Sequence, residues 1–267
     1  MTPGLWGRIA RALVLAATLA VLLTGCAETR SQIQTEFREG RIAQQNYEAG
    51  KAKYRARDYA AAVPLFQRTL SLDPQHDDAE IYLGWSYFHL GRYQDATQHF
   101  RQVTVRQPRW ESAWNGLGWS QHRARQYQFA LEAFQEAVAL DPGYRDAAVG
   151  LAYSLFDLGR YREALPHLHR LTREGAYLYF PDPDSDVEEV RSRYAWCLYY
   201  TGGYRQARDE FAKGIQARPK REGLHNGLGW TYLRMGDRAR ARESFQRALR
   251  LDPDYADARA GLAEASR

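Results

Sequence analysis

Residues 108–142 read PRWESAWNGLGWSQHRARQYQFALEAFQEAVALDP, a stretch that opens and closes on proline. Working outward, Pro74, Pro108 and Pro142 stand 34 residues apart, and Ala62, Ala96, Ala130 and Ala164 keep the same interval. A fixed period of this length means that one structural unit is copied along the chain. Each copy shows two amphipathic runs of helical period around a turn such as Leu90-Gly91-Arg92 or Leu158-Gly159-Arg160, which makes a helical hairpin. The pairs Asp73-Pro74, Asp141-Pro142 and Asp252-Pro253 end one unit and open the next, because proline disfavours helix at the residue before it.

One unit holds Leu83-Gly84, Tyr87, Ala96, Phe100 and Pro108; the next holds Trp114, Leu117-Gly118, Ala130, Phe134, Ala137 and Pro142. The first keeps Tyr59, Ala62, Phe66 and Pro74 but has Lys53 at a tyrosine position, and the fourth keeps Leu151-Ala152, Gly159, Tyr161 and Ala164. The fifth has Tyr194-Ala195, Gly202, Tyr204, Ala207, Phe211 and Pro219, and the sixth Leu228-Gly229, Tyr232, Gly236, Ala241, Phe245, Ala248 and Pro253. These residues fit the pattern W-x2-L-G-x2-Y…A-x3-F…P, and the chain resembles the tetratricopeptide repeat (TPR) family. The resemblance implies an all-α fold, a right-handed α-solenoid of six TPR helix hairpins near 43–76, 77–110, 111–144, 145–178, 188–221 and 222–255. A capping helix at 256–267 then covers the last apolar face. Gly84, Gly118 and Gly229 are expected to face Ala96, Ala130 and Ala241, where small residues let two helices approach.

Between Ala164 and Ala207 the interval is 43 residues, which places an insertion near 172–187. Its Asp182, Asp184 and Asp186 invite a calcium loop, but Val187 and Arg193 stand where that loop needs glycine and glutamate. Ser185 with Glu188 reads as a capping box, and Asp186, Glu188 and Glu189 oppose the positive end of the following helix. The apolar Tyr177 to Phe180 stretch either folds onto the solenoid or contacts a partner.

The first 25 residues read as an export signal, with Arg8 and Arg11 ahead of an apolar run from Ala12 to Leu23. That run is shorter than the roughly 20 residues a membrane-spanning helix needs. Leu23-Thr24-Gly25-Cys26 resembles the lipobox of bacterial lipoproteins, which implies cleavage before Cys26 and acylation of its sulfur. Ala27 follows, and by the same resemblance this points to the outer membrane, facing the periplasm. Residues 26–42 read as a lipidated N-terminus and polar tether, partly helical, and 43–267 as the solenoid. Removing Arg8 and Arg11 lowers the formal charge from +5 to +3, a solvated surface and not a nucleic-acid footprint. With Cys26 acylated only Cys197 remains, so no internal disulfide forms.

Motifs of catalysis are absent from the sequence: there is no G-x-S-x-G, H-E-x-x-H or G-x-x-x-x-G-K-[ST], and no enzyme activity or cofactor is expected. His167 and His169 lie two apart, on different faces of a helix, and so make a poor metal pair. Cys197 takes the slot filled elsewhere by Ala52, Ser86, Ser120, Ser154 and Thr231, a small buried packing position.

The first helix of each unit lines the concave groove in TPR proteins. One residue past the Leu-Gly pair stand Trp85, Trp119, Tyr153, Trp196 and Trp230, with Lys51 in the first unit. Three residues on come Tyr54, Phe88, His122, Phe156, Tyr199 and Leu233, and four before come Ile81, Asn115, Val149, Ser192 and Asn226. These offsets share one helix face, so the groove is predicted as an aromatic ladder with polar breaks at Asn115 and Asn226. TPR proteins that grip chaperone C-termini have asparagine where these tryptophans stand, so the resemblance does not extend to that clamp. The rings are either interior packing between helices or an open surface. Asn115-Gly116-Leu117-Gly118-Trp119 recurs as Asn226-Gly227-Leu228-Gly229-Trp230, and each extra mid-helix glycine costs about 1 kcal/mol, suggesting room beside the indole for a partner's backbone or a sugar ring. Two function classes follow: a scaffold for protein partners of an envelope assembly (pilus, secretion or cell-wall machinery), or a glycan-binding lipoprotein of exopolysaccharide export or peptidoglycan handling. The Cys26 lipid would supply membrane attachment, and no nucleic-acid partner is expected.

Overall fold

The computed structural model describes residue 32 and residues 34–174 and 187–267. The leader, Cys26, Ser185 and the Tyr177 to Phe180 stretch lie outside the described residues. Among the described residues there are thirteen helices and no strand. Helix α1 runs over residues 34–55. It is followed by α2 (Tyr59–Leu72), α3 (Asp77–His89), α4 (Tyr93–Arg106), α5 (Glu111–Arg123), α6 (Tyr127–Leu140), α7 (Arg145–Asp157), α8 (Tyr161–Glu174), α9 (Val187–Tyr200), α10 (Tyr204–Ala217), α11 (Glu222–Arg234), α12 (Arg238–Leu251) and α13 (Ala256–Ala265). Odd-numbered A helices and even-numbered B helices alternate through six repeats, and α13 is the cap. The end of the stretch read as a tether is thus helical from 34 onward. Its glutamates and arginines are good helix formers, and Ala43 and Tyr47 bury the helix against the first repeat.

The chain divides into two compact units, one through Leu90 and one from Gly91. In the first, Phe66 of α2 is fully buried, 2.7 Å from where a Cβ on Gly50 would stand, and stacked on Tyr82 at 5.5 Å and 15°. In the second, each helix packs on the next along the chain, and the A helices also touch in series, α5 on α7, α7 on α9, α9 on α11 and α11 on α13. The B helices touch only A helices among the described residues. The A helices therefore form the inner row and the B helices the outer.

In the second unit a column of B-helix side chains makes the core: Phe100, Phe134, Leu168, Phe211 and Phe245 have no exposed surface, and Phe66 fills the equivalent place in the first unit by itself. In the second unit these rings are gripped by glycine. A Cβ on Gly118 would lie 2.7 Å from Phe134, one helical turn beyond the Ala130 that the sequence suggested as its neighbour, and a Cβ on Gly150 of the next A helix would lie 2.2 Å from the same ring. Gly229 and Gly261 hold Phe245 in the same way, at 2.7 and 2.3 Å. Phe100 meets Gly116 and Phe211 meets Gly227, each at 2.4 Å. This corrects the reading of the two recurring glycines: the space that Gly116 and Gly227 leave is filled by a phenylalanine of the preceding B helix and is not open to a partner's backbone or a sugar.

The turns between A and B helices use one left-handed residue at a fixed place, Gly91, Gly159, Gly202 and Gly236, with Arg57 and Arg125 at φ 59° in the other two. At the unit ends, the side chains of Asp73, Asp141 and Asp252 accept the backbone N–H two residues on, which fixes the Asp-Pro turns.

Candidate ligand-binding face

The tryptophans on the inner row of the second unit share one arrangement. Trp119 sets its ring nearly perpendicular to Phe134 at 5.2 Å, Trp196 to Phe211 at 5.3 Å and Trp230 to Phe245 at 5.3 Å. Edge-to-face contacts of this kind add about 0.5–1.5 kcal/mol beyond area burial. All three indoles stay half-buried. They serve as both interior and surface, which resolves the two alternatives left by the sequence. Trp85, in the first unit, is only 7 % exposed, and Tyr153 only 4 %, so these two are core and not surface.

Asn115 and Asn226 depart furthest from expectation. They are 0 % and 1 % exposed, not polar breaks in an open groove. Asn115 Nδ2 donates to Asp146 Oδ2 at 2.7 Å, and Trp119 Nε1 donates to the same oxygen at 3.1 Å. Asn226 and Trp230 repeat this on Asp257 Oδ2 at 2.7 and 3.0 Å. Each triad bolts one A helix to the next, 31 residues on from the asparagine. Tyr144 adds its hydroxyl to the first triad, accepting from Asn115 at 3.3 Å. Burial pushes the Asp146 carboxyl up to about 6 against the pull of its two N–H donors. The asparagines expected to bond sugar hydroxyls are therefore committed inside the fold. The sequence signal for the triad was present but unread: N-x3-W is followed, at 29 and 31 residues from the asparagine, by Tyr-x-Asp in both repeats.

A second rung joins A helices 35 residues apart. His122 Nε2 meets Asp157 Oδ2 at 2.9 Å. In the first unit Tyr54 meets His89 at 3.3 Å. Phe156 and Tyr199 lean on Tyr161 and Tyr204, the opening residues of their own B helices, at 5.5 and 5.7 Å. Phe88, half-buried, lies edge-on to Trp85 at 5.3 Å.

Between the fourth and fifth repeats the pattern changes. Where Gly116, Gly150, Gly227 and Gly261 stand in other repeats, the nine-residue offset places Arg193, opposite Leu168 in the phenylalanine column. Arg193 lies 3.8 Å over the Tyr153 ring and pairs with Glu189, which also pairs with Arg221. Two guanidiniums thus converge on one carboxylate at the edge of the aromatic row. The sequence reading missed this cluster, though the break in the glycine series at 193 marks it. Glu188 and Glu189 lie in the first turn of α9, as expected from the helix dipole.

Cys197 is fully buried in the slot whose other occupants, Ser120, Ser154 and Thr231, donate back to the carbonyls of Gly116, Gly150 and Gly227. Burial pushes its thiol up to about 12, which fits a packing residue. His167 is half-buried and His169 exposed, on different sides of α8. Among the described residues no group of three His, Cys, Asp or Glu could hold a metal ion, and no helix is long and apolar enough to cross a membrane.

Serial helical hairpins with a Gly-gripped phenylalanine column and an aromatic inner row define a helical-repeat protein of the TPR class. The chain belongs to the tetratricopeptide repeat family, whose sequence models match residues 47–109 and 98–145, 122–177 and 223–255. Solved structures with this fold include YrrB, described as a TPR protein with an unusual peptide-binding site (TM-score 0.61, 19 % identity, 73 % of this chain and 96 % of that one). A second is Cut9–Hcn1, a hetero-tetramer of APC/C (0.63, 16 %, 85 % of this chain), of whose matched chain this protein spans 43 %. A third is MamA from AMB-1 (0.57, 22 %, 69 % of this chain and 96 % of that one). No protein of curated function matches the chain in sequence.

Proposed function

We propose that this protein is a non-catalytic scaffold of the bacterial envelope that binds a protein or peptide along the inner row of its second unit. In this reading residues 1–25 direct export, and Cys26 carries the lipid that holds the chain to the outer membrane on the periplasmic side. The partner belongs to an envelope assembly such as a pilus, secretion or cell-wall machine. The observation that carries the binding half is the set of half-buried rings Trp119, Phe156, Trp196, Tyr199 and Trp230. The three indoles are fixed by the core along one edge and left accessible beyond it. Rigid aromatic anchors with accessible surface are what binding interfaces concentrate their energy on, because little rotamer freedom is lost when a partner covers them. YrrB, which shares the fold, is described as having a peptide-binding site, and this supports the same use here. The anchoring half rests on the sequence at Leu23-Thr24-Gly25-Cys26.

The test is crosslinking and co-purification from the native host, comparing the wild type with Trp196→Ala. Trp196 donates no hydrogen bond to a neighbouring repeat, so its loss leaves the joints intact. The expected result is loss of the captured partner, with a melting temperature only a few degrees lower. An unchanged set of partners would refute the binding half. Labelled palmitate incorporated by the wild type but not by Cys26→Ser tests the anchoring half separately.

A further inference from the structure

The outward faces of α6 and α12 differ from those of the other B helices of the second unit. With the buried Phe134 and Phe245 as reference, the outward positions five and two residues before and two and five after are Phe129, Glu132, Glu136 and Ala139 on α6. On α12 they are Arg240, Glu243, Arg247 and Arg250. Helix α6 carries two glutamates and no base, while α12 carries five arginines and one glutamate. On α4 and α10 the outward charges are paired within the repeat, Asp95 with Arg92 at 2.7 Å and Lys213 with Glu210 at 2.6 Å, while α8 is mixed, with Glu163 paired to Arg160 at 2.7 Å and Arg170 and Arg173 exposed beyond it. On α12 only Arg240 has such a partner, Asp237 at 3.4 Å. On α6 an exposed aromatic ring stands beside the acids, Phe129 at 59 % exposure, with Leu140 exposed at the same helix's end.

We infer that the outward face of α6 binds the outward face of α12 on a second copy of this chain. The chemistry matches on each point. Guanidiniums pair with carboxylates through two parallel hydrogen bonds and also lie flat on aromatic rings, so Arg247 and Arg250 can satisfy Glu132, Glu136 and Phe129 together. An apolar anchor with a charged surround is the usual anatomy of a protein contact. Identical faces do not pair, since α6 would meet α6 with like charges. Because the two faces lie at different places on one chain, the contact is head to tail and extends into a string of copies instead of closing as a dimer. A polyanionic surface such as a lipid bilayer would use α12 and leave the exposed Phe129 and its glutamates without a role.

The test is sedimentation velocity of the full chain over a range of concentrations, in a non-ionic detergent that masks the apolar run of residues 12–23. The wild-type sedimentation coefficient should rise with concentration and the rise should fade with added salt. Arg247→Glu/Arg250→Glu alone and Glu132→Arg/Glu136→Arg alone should each remain monomeric. An equimolar mixture of the two should associate again, at least about tenfold more tightly than either alone, because it recreates opposite charges across both contacts. All four substituted residues are exposed, and unchanged circular dichroism confirms folding. A wild type that is monomeric at about 0.1 mM, single variants that associate like the wild type, or a mixture that stays monomeric would each overturn the inference. Monomers that bind anionic vesicles through α12 would overturn it in favour of a membrane surface.

Discussion

The joint between the third and fourth repeats and the joint between the sixth repeat and the cap are built from the same residues and end in different environments. Asn115, Trp119 and Asp146 make the first; Asn226, Trp230 and Asp257 make the second, with hydrogen bonds that agree within about 0.1 Å. Asp146 is 4 % exposed, whereas Asp257 is exposed. The difference comes from what covers the acceptor helix. Helix α7 is packed by α8 and α9 on its far side, while α13 touches only α11 and α12 among the described residues. One hydrogen-bonding triad is thus a buried bolt at one end and a solvated clasp at the other. Its energetics follow from burial, because an ionised carboxylate in the interior is poorly solvated even with two donors.

The largest expected effect exploits that contrast through pH. The folded-state pKa of Asp146, about 6, lies above the ordinary 3.8, so the protonated carboxyl favours the folded chain. This contribution is complete below pH 3.8 and is lost as pH rises through about 6, a change of about 3 kcal/mol at roughly 1.36 kcal/mol per unit. Asp146→Asn keeps an acceptor for Trp119 and removes the titration. Urea unfolding at pH 4 and pH 7 should show the wild type losing stability across this window beyond what Asp146→Asn loses. Equal slopes in the wild type and Asp146→Asn would show that the buried carboxyl is not the titrating group.

The next effect tests packing at the same two joints. A Cβ at Gly150 meets the Phe134 ring at 2.2 Å, and one at Gly261 meets Phe245 at 2.3 Å. Phe134 is trapped between Gly118 and Gly150, two helices that are themselves covered. Gly150→Ala is therefore expected to cost about 2 kcal/mol even after alanine's helix preference is credited. The cap can shift outward, so Gly261→Ala should cost about half as much. Thermal unfolding of both variants decides this, and a larger loss for Gly261→Ala would mean that the cap is as constrained as the interior.

These two joints also show where sequence reasoning succeeds and stops. The hairpins, their turns and their 34-residue spacing were legible because each is a local pattern: periodic apolar residues, glycine after the A helix, proline after the B helix. The insertion shifted the register by nine, and the turn, alanine and phenylalanine positions resumed beyond it at Gly202, Ala207 and Phe211. Helical offsets on the first helix of each repeat, taken with the TPR resemblance, put Trp119, Trp196 and Trp230 at one equivalent position, and all three share one half-buried arrangement. What remained hidden lay between repeats. Asn115 and Asp146 are 31 residues apart, and a face count on one helix treats the asparagine as surface because its acceptor is supplied by another. For the same reason Gly116 and Gly227 looked like vacancies, though the vacancy is filled by a ring sixteen residues earlier. Arg193 was invisible as a cluster because only the broken glycine series announces it.

The smallest effect separates the third and sixth repeats at their turns. Arg125 adopts φ 59°, a left-handed conformation that costs an L residue about 1 kcal/mol, whereas the sixth repeat places Gly236 there at φ 83°. The arginine side chain is exposed, so nothing in packing requires it. Arg125→Gly should therefore stabilise the chain by about 0.5 kcal/mol, the relief of strain being partly offset by the greater freedom of glycine when unfolded. Gly236→Arg should destabilise by a similar or somewhat larger amount. The pair of changes exchanges the turn chemistry of the two repeats while leaving both triads untouched. Stability shifts of opposite sign, read from the denaturant midpoint with constant slope, would isolate the turn as a local contribution that adds to the joints. Shifts of the same sign would mean instead that the turn at Arg125 is held in place by its repeat's covered joint, and that the two levels of structure are coupled.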